Sequence, residues 1–530
     1  MSKEMISSKQ NRKLYQWQES CIRSWFSAGF HGIAKVVTGA GKTLMALTAA
    51  SRLEELLASK ADASQLRIKI IVPKAFMVSQ WKAAIENSIG NLGIFAGDIG
   101  VHYGARKDSP NHRCMIYVVN SARDCLTRHI IEDLHKGRSI LIIADECHHL
   151  SSNENRRCFD YQNIKELDLS HCYTLGLSAT PETINFDDVS SKTIGPVFFT
   201  YSFSQAIADH VVNSCILYQI ALELDSDARD KYERLSFSLT KTTAKLLEAY
   251  PPLRKASGES FLNTIIKLAG TEDDEIAKLA NRFLHISRER MAILVLNQDR
   301  IQAVMNLVST LNRSNRILVY TERIEQCDKL SSTMNHFFPG QVSRYHSAMP
   351  AEARTFNLNE FITGRTRILV CCRALDEGLD IPSVDVGIIL SCTSQERQRI
   401  QRLGRIIRRK EGKTISAIYY FYFEQTIERS TMIHESDGEG IREYFLTYDK
   451  AADQFIFPEF EDALYLLQSQ LSKTHPDAIA TLQPYLEEGR LRPDWLLPPP
   501  MLKSTSEDQS IPLASRNYLK AMYLLSSLRP

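Results

Sequence analysis

The chain has 530 residues, 44% of them hydrophobic and 24% charged, a composition that predicts a globular protein with several domains. The formal net charge of +2 gives no argument for or against nucleic acid, which needs only a local basic groove. No uninterrupted run of about 18 apolar residues occurs, so we expect no membrane span. The first residues also lack the apolar segment of a secretory signal, so we expect a cytoplasmic protein.

The first 200 or so residues alternate short apolar runs with helical patterns. Strands are predicted at 33–37, 68–72, 115–119, 140–144 and 174–178, and helices at 42–57 and 76–87. Repeated strand–helix alternation favours a parallel sheet that is covered on both faces. We therefore predict an α/β domain over residues 1–204.

The same rhythm returns later in the chain. Strands are predicted at 316–320, 366–371, 386–390 and 416–420. They predict a second α/β domain over residues 311–428. Residues 205–310 carry apolar residues at helical spacing and are predicted to form a helical connector or insertion. Residues 429–530 are predicted to form a mostly helical C-terminal region of unknown role.

A glycine-rich loop joins the first predicted strand to the first predicted helix. Its residues are Thr38, Gly39, Ala40, Gly41, Lys42 and Thr43. Such a loop lets backbone N–H groups cradle phosphates, with Lys42 reaching the β- and γ-phosphate oxygens and the Thr43 hydroxyl binding Mg²⁺. Val36 stands where the strict pattern has glycine, and a glycine-rich turn with an incidental lysine is the alternative. We predict a nucleotide-binding loop.

Two carboxylates follow the predicted buried strand at 140–144. We expect Asp145 to hold Mg²⁺, directly or through water, and Glu146 to orient and deprotonate an attacking water. His148 and His149 are adjacent and no third ligand lies near them in the sequence, so we do not expect a metal pair. His148 is predicted instead to form a hydrogen bond across the nucleotide site.

The acidic segment and a segment that follows it resemble motifs of the superfamily-2 helicases. Asp145-Glu146-Cys147-His148 resembles the Asp-Glu-x-His box of that family, and it follows the phosphate loop by about 100 residues, as in the family. Ser178-Ala179-Thr180 follows about 30 residues later and resembles motif III. The resemblance implies that the hydroxyls of Ser178 and Thr180 couple hydrolysis to the grip on a nucleic-acid strand.

The second predicted α/β domain carries two further matching segments. They contribute Arg373, Gly378 and Asp380 from a segment similar to motif V, and Gln401, Arg405 and Arg408 from one similar to motif VI. The resemblance implies that Arg405 and Arg408 face the γ-phosphate beside Gln401, a role that can contribute on the order of 10³–10⁵ in rate. It also implies nucleotide sensing by Gly378 and Asp380, and strand contact by Arg373. A basic, solvated helix is the alternative for the motif VI segment.

An opening segment similar to the family's Q-motif lies before the phosphate loop. The resemblance places Gln18 on the glutamine of that motif, where its amide would bind the adenine edge. Gln16 is the competing candidate, and an ordinary amphipathic helix is the alternative to both.

Further resemblances concern strand contact. Motif Ia is resembled by Pro73 and Lys74, followed by Gln80 and Trp81, and motif Ib by Asn120, Ser121 and Arg123. Backbone and polar groups at such loops can grip phosphates without reading the sequence of bases. We expect Trp81 to be a packing residue rather than a stacking platform.

The segments Leu-Gly-Leu-Ser-Ala-Thr-Pro and Gln-Arg-Leu-Gly-Arg are most similar to those of the XPB-like and type III restriction-like branch of the superfamily. The resemblance covers residues 12–425 and implies an α/β fold of two RecA-like parallel-sheet domains that clamp ATP and Mg²⁺. It implies a helicase or translocase that couples ATP hydrolysis to movement on nucleic acid, DNA rather than RNA. The alternatives are an RNA helicase and an ATP-gated accessory or sensor subunit of a DNA repair, restriction or phage-defence complex. In that last case a protein partner would bind the C-terminal region.

Overall fold

The computed structural model describes most of the chain, including both predicted α/β domains. It covers residues 14–59, 65–92, 98–152, 154–181, 190–256, 258–311, 315–372, 381, 384–390, 406, 415–429, 441–456, 469, 475–487 and 497–528. Within these residues, no helix combines the length and the apolar character that crossing a membrane requires.

The first α/β unit is built on an eight-stranded sheet. Its strands are β1 (Ile33–Val36), β2 (Leu66–Val72), β3 (Ile99–Tyr103), β4 (Arg106–Lys107), β5 (Cys114–Val118), β6 (Ser139–Asp145), β7 (Cys172–Ser178) and β8 (Val197–Tyr201). The order is β4-β3-β5-β2-β6-β7-β1-β8, and every pair is parallel except β3 with β4. The central strands are buried along almost their whole length because both faces of the sheet are covered.

Helices cover the two faces of this sheet. They are α1 (Gln16–Ser27), α2 (Lys42–Ala58), α3 (Ala75–Leu92), α4 (Val119–His135), α5 (Ser191–Thr193) and α6 (Phe203–Ala208). Helices α1, α2 and α3 pack on one face, whereas α4 and the 3₁₀ turns Cys147–Ser151 and Asn155–Asn163 pack on the other. Since β6, β7 and β1 are neighbours in a parallel sheet, their carboxyl ends lie side by side, where such sheets bind ligands.

A helical insertion follows the first unit. It contains α7 (Ser226–Ala249), the 3₁₀ turn Pro251–Lys255, α8 (Gly258–Leu268) and α9 (Asp274–Val295). The Asp225 and Asp273 side chains cap the first turns of α7 and α9. Apolar side chains of these helices, among them Leu246, Ile265 and Phe283, form a small core of their own.

The second α/β unit is built on another eight-stranded sheet. Its strands are β9 (Ser214–Leu222), β10 (Ile317–Thr321), β11 (Val342–Tyr345), β12 (Ile368–Cys372), β13 (Val386–Ile389), β14 (Ile415–Phe423), β15 (Ile441–Asp449) and β16 (Gln454–Ile456). The order is β11-β12-β10-β13-β14-β9-β15-β16, antiparallel only between β15 and β16. Two mostly parallel sheets with covering helices confirm the predicted α/β fold class.

Helices from three parts of the chain cover the second sheet. They are α10 (Gln298–Thr310), α11 (Ile324–Phe337), α12 (Ala351–Ile362), α13 (Pro476–Glu487), α14 (Pro499–Glu507) and α15 (Leu513–Ser526). Phe361 of α12 packs on one face of the sheet, while α10, α11, α13, α14 and α15 contribute to the core on the other. The C-terminal helices are therefore part of the core of the second unit.

The structure differs from the predicted organisation at three strands. Strand β9 lies inside the predicted helical connector at 205–310, and β15 and β16 lie inside the predicted helical region at 429–530. Strand β9 is almost uniformly apolar because it is buried between β14 and β15, and periodicity cannot separate such a short apolar run from a buried helix. In β15 the alternation of buried Tyr444, Leu446 and Tyr448 is the strand signal that the sequence carried.

A buried ion pair joins α10 to the turn after β14. The Arg300 guanidinium of α10 pairs with the Glu428 carboxylate, and both side chains are almost fully buried. Glu428 also accepts the backbone N–H of Phe423 at 3.0 Å, and the Arg300 guanidinium carbon lies 4.6 Å from the centre of the Phe423 ring. Because removing one charge would leave the other buried and uncompensated, this pair specifies how α10 meets the end of β14.

Candidate nucleotide site

The phosphate loop follows β1 and leads into α2. Gly39 and Gly41 adopt φ angles of +86° and +99°, in the left-handed region that favours glycine. Helix α2 begins at Lys42, and its N-cap residue Gly41 supplies no side-chain cap. The first N–H groups of α2 and the positive end of its dipole therefore suit an anion such as a phosphate.

The lysine of the loop meets the acidic segment at the end of β6. Lys42 Nζ lies 3.7 Å from Glu146 Oε1 and 3.4 Å from the backbone oxygen of Val36. The side chains of Lys42 and Glu146 are only 11% and 13% exposed, so little water screens the pair. The structure thus brings together the lysine and the carboxylate that were predicted to act on one nucleotide.

The Asp145 carboxylate is held from two sides. Its Oδ2 accepts the indole N–H of Trp81 at 2.8 Å, and its Oδ1 accepts the backbone N–H of Glu146 at 3.0 Å. Burial, together with the neighbouring Glu146 carboxylate, raises the pKa of Asp145 to about 6, while Lys42 and Trp81 act in the opposite direction. Carboxylate oxygens are the ligands that a hard divalent cation prefers, so Asp145 is a donor that fits such a cation.

Glu146 has a strained backbone. Its φ of +45° lies in the left-handed region, which is uncommon for a residue with a branched or long side chain. In this conformation its Oε1 faces Lys42 and its Oε2 lies 3.5 Å from His148 Nδ1. The strained conformation places one carboxylate between two basic side chains.

His148 contacts the segment that was predicted to couple hydrolysis to strand grip. A hydrogen bond of 3.0 Å joins His148 Nδ1 to Ser178 Oγ, and both side chains are buried. Ser178 Oγ also accepts the backbone N–H of Thr180 at 3.2 Å. The Ser178 hydroxyl therefore connects the end of β6 to the end of β7.

Gln18 lies against the phosphate loop. Its Nε2 donates to the backbone oxygen of Gly41 at 3.0 Å, and its Oε1 accepts the backbone N–H of Tyr15 at 2.9 Å. Gln18 is buried, whereas the competing candidate Gln16 is exposed. The sequence predicted an adenine contact for Gln18, and it did not reveal this bond to the loop.

The residues predicted to contact a strand in the first unit follow two adjacent strands. Pro73 and Lys74 lie between β2 and α3, and Asn120, Ser121 and Arg123 lie in the first turns of α4, after β5. Because β5 and β2 are neighbours, both groups lie at the same sheet edge as the nucleotide site. The Arg123 guanidinium pairs with the exposed carboxylate of Glu154 at 2.7 Å.

Six predicted site residues lie outside the described part of the chain. They are Arg373, Gly378, Asp380, Gln401, Arg405 and Arg408. Ile406, which lies within the motif VI segment, is described and fully buried, and its backbone oxygen accepts the Ser416 hydroxyl at 3.1 Å. A Cβ built on Gly387 would collide with the Ile406 side chain, so the two residues are in close contact. Ile406 thus packs on β13 of the second sheet.

Comparisons with known proteins match both α/β units. Residues 11–183 match the family model of the type III restriction enzyme res subunit, and residues 299–410 match that of the helicase conserved C-terminal domain. Together the two models cover more than half of the chain.

Individual relatives and structures give the same result. The chain is 26% identical over 414 residues to the DNA 3'-5' translocase XPB2 of Sulfurisphaera tokodaii, which covers 76% of this chain and 80% of that protein. It is 26% identical over 245 residues to the ATP-dependent rRNA helicase RRP3 of Meyerozyma guilliermondii, and this match covers 43% of this chain and 48% of that protein. An HsdR fragment of a type I restriction enzyme from Vibrio vulnificus superposes with a TM-score of 0.52 at 16% identity, over 83% of this chain and 69% of that one, and shows a shared fold.

The two sheets are RecA-like domains, and the chain is an ATP-hydrolysing helicase or translocase of superfamily 2. Within that superfamily it belongs to the XPB-like and type III restriction-like branch. Nucleic acid is its macromolecular partner, and the family implies the use of ATP.

Proposed function

We propose that this chain is a DNA-stimulated ATPase that translocates on DNA or remodels it. The observation that carries the proposal is the convergence of Lys42 with Glu146, 3.7 Å apart, at the end of β6. This pair joins the phosphate loop to the acidic box in one site. The choice of DNA is supported by the translocase relative, which aligns with most of both chains.

The chain's own residues would act on ATP as follows. The backbone of Thr38, Gly39, Ala40 and Gly41 would cradle the phosphates, and Lys42 would stabilise the charge of the γ-phosphate. Glu146 would orient the attacking water and take its proton, and His148 would keep the Glu146 side chain in place.

Mg²⁺ fits the same site. Thr43 and Asp145 would hold it, and when bound it neutralises charge on the phosphates. The support for this assignment is that the Asp145 carboxylate ends β6 and that Thr43 lies in the first turn of α2, which follows β1 at the same sheet edge.

The second RecA-like domain would complete the site. We propose that ATP draws the first domain, residues 1–204, towards the second domain, whose sheet includes β9, β15 and β16 besides the strands of residues 311–428. Gln401, Arg405 and Arg408 would then face the γ-phosphate, and Gly378 and Asp380 would sense the nucleotide. Of that segment the structure describes Ile406, which packs closely on β13.

Nucleic acid would bind at the edge of the first sheet where β2 and β5 end, and at the second domain. Pro73, Lys74, Asn120, Ser121 and Arg123 would contact phosphates of the strand in the first domain. Arg373 would do so in the second. Such contacts grip the backbone without reading bases. A protein partner of the region 429–530 belongs to the alternative of an accessory subunit in a repair, restriction or defence complex.

An RNA helicase is the second candidate, because the rRNA helicase relative matches part of the chain. ATPase rates with single-stranded DNA, duplex DNA, forked DNA and RNA, measured side by side, discriminate the readings. We expect DNA to stimulate turnover more than RNA does. Stronger stimulation by RNA would favour the second candidate, and no stimulation by any of them would favour the accessory subunit.

A matched pair of arginine variants tests the second half of the site. Arg405→Ala should abolish stimulated turnover with little loss of ATP affinity, because an arginine near the γ-phosphate acts mainly as the bond breaks. Arg365→Ala removes an exposed guanidinium that pairs with Glu360 and should leave turnover unchanged. A normal rate for Arg405→Ala would contradict the proposed role.

A further inference from the structure

Trp81 of α3 makes an unusual use of its single hydrogen-bond donor. The indole is 2% exposed, and its Nε1 donates to Asp145 Oδ2 at 2.8 Å. Asp145 Oδ1 accepts a second N–H, from the backbone of Glu146. Each oxygen of the carboxylate is therefore held from a different direction, which fixes the rotation of the group. A carboxylate offers about four lone-pair positions, so acceptor capacity remains for a cation.

A buried tryptophan needs a partner for its N–H, but a backbone oxygen is sufficient. Trp25 in the same domain shows this, since its Nε1 donates to the backbone oxygen of Thr174 at 2.9 Å and its side chain is fully buried. Trp81 instead donates to a carboxylate, and hydrogen bonds to ionised groups are shorter and stronger than neutral ones. The contrast separates Trp81 from an ordinary packing residue.

The position of Trp81 along α3 adds a mechanical link. Helix α3 begins at Ala75, directly after Pro73 and Lys74, the proposed strand contacts. Trp81 lies six positions after Ala75 along the helix, a rise of about 9 Å. One rigid helix thus joins the strand-contact loop to Asp145.

We propose that Trp81 is a positioning residue that holds the Asp145 carboxylate in the orientation needed by the cation–nucleotide complex. This inference rests on the proposed function, because Asp145 is the proposed cation ligand. Trp81 touches neither the nucleotide nor the reacting atoms in this role, and it acts through Asp145.

The test measures the affinity of the full chain for a fluorescent ADP analogue with Mg²⁺ and with EDTA. The ratio of the two dissociation constants gives the gain in affinity that the cation supplies. Trp81→Phe keeps an aromatic ring and removes the N–H, and we expect it to reduce this gain about five- to tenfold without changing the affinity in EDTA. Trp25→Phe removes a comparable buried N–H and should leave the gain unchanged.

Three results would count against parts of the account. A full Mg²⁺ gain in Trp81→Phe, or an equal loss of affinity in Mg²⁺ and in EDTA, would overturn the role of Trp81. Asp145→Asn tests the proposed cation site separately from the role of Trp81, because this variant should lose the gain in affinity from Mg²⁺ if Asp145 is a cation ligand. If Asp145→Asn keeps the gain, the proposed cation site itself is wrong.

A second measurement does not depend on the folding of Trp81→Phe. The chain has four tryptophans, so labelling with 5-fluorotryptophan gives few ¹⁹F resonances. Replacing each of the other three tryptophans in turn with phenylalanine identifies their resonances, and the remaining one belongs to Trp81. We expect the Trp81 resonance to shift when Mg²⁺ is added in the presence of ADP, while that of Trp25 stays in place. An unchanged Trp81 resonance would also overturn the inference.

Discussion

The ammonium of Lys42 and the carboxylate of Glu146 lie 3.7 Å apart, although one begins α2 and the other follows β6. Both side chains are largely buried, so each charge compensates the other in a region with little water. The pair lies at the sheet edge where a triphosphate would bind. The proposed chemistry depends on this pair, and the predictions below concern the groups around it.

Gln18 is expected to stabilise the phosphate loop. Gln18→Ala removes the only side-chain donor that the structure records for the Gly41 oxygen among the described residues. We expect the affinity for ADP to fall about five- to tenfold, as for one hydrogen bond at a buried site. Titration with a fluorescent ADP analogue measures the effect. Gln16→Ala changes an exposed glutamine of the same helix and should bind ADP normally; equal affinities for the two variants would contradict the role of Gln18.

Ser178 is expected to couple hydrolysis to nucleic acid. Ser178→Ala removes the hydroxyl that joins His148 to the N–H of Thr180, so a change at one strand end should no longer reach the other. We expect ADP affinity to stay within about twofold and the stimulation of turnover by nucleic acid to fall roughly tenfold.

Ser151→Ala is the matched control for Ser178→Ala. Ser151 is also buried, and its hydroxyl donates to the backbone oxygen of His148 rather than bonding to the imidazole. Its stimulation should stay close to that of the wild type. A similar loss in both variants would indicate a general loss of packing and not a coupling role.

His129 predicts how stability depends on pH. The side chain is buried, its Nδ1 lies 3.0 Å from the Tyr117 hydroxyl, and burial lowers its pKa to about 4. The unfolded chain takes up this proton below about pH 6.5, whereas the native state resists it until about pH 4. The native state therefore loses stability as the pH falls through this interval, by about 2 kcal/mol at pH 5.

Thermal unfolding at about pH 7.5 and pH 5 measures this effect. His129→Gln cannot take up the proton, so we expect a smaller fall of the midpoint temperature on acidification than in the wild type. His285→Gln changes an exposed histidine of α9, and its midpoint temperature should fall on acidification as much as that of the wild type. An unchanged pH dependence in His129→Gln would show that another group dominates acid unfolding.

The sequence predicted the parts of the site that depend on local pattern. A predicted strand precedes the glycine-rich loop and a predicted helix follows it from Lys42, so the phosphate loop can be predicted from residue types alone. Asp145 and Glu146 end an apolar run, and the topology of a parallel sheet places that end beside the loop. Strand β9 was not predictable, because a fully buried strand has no period that distinguishes it from a buried helix.

Contacts between distant residues were beyond the sequence pattern. Trp81 was expected to be a packing residue, and its bond to Asp145 depends on the rotation of α3 against β6. The bond from Gln18 to Gly41 depends in the same way on how α1 meets the loop. Both contacts are tertiary, and neither leaves a signature in the local sequence.

The proposed chemistry requires that Glu146 activate the attacking water and contribute little to the affinity for the nucleotide. Glu146→Gln keeps the size and shape of the side chain and removes its ability to take a proton. Glu166→Gln, a change at an exposed glutamate of the same domain, is the control and should hydrolyse ATP normally.

The most direct test is the turnover of ATP by Glu146→Gln with saturating nucleic acid, measured together with its ATP affinity. The account predicts near-normal affinity and a rate at least about 100-fold below that of the wild type. Turnover close to the wild-type rate would contradict it.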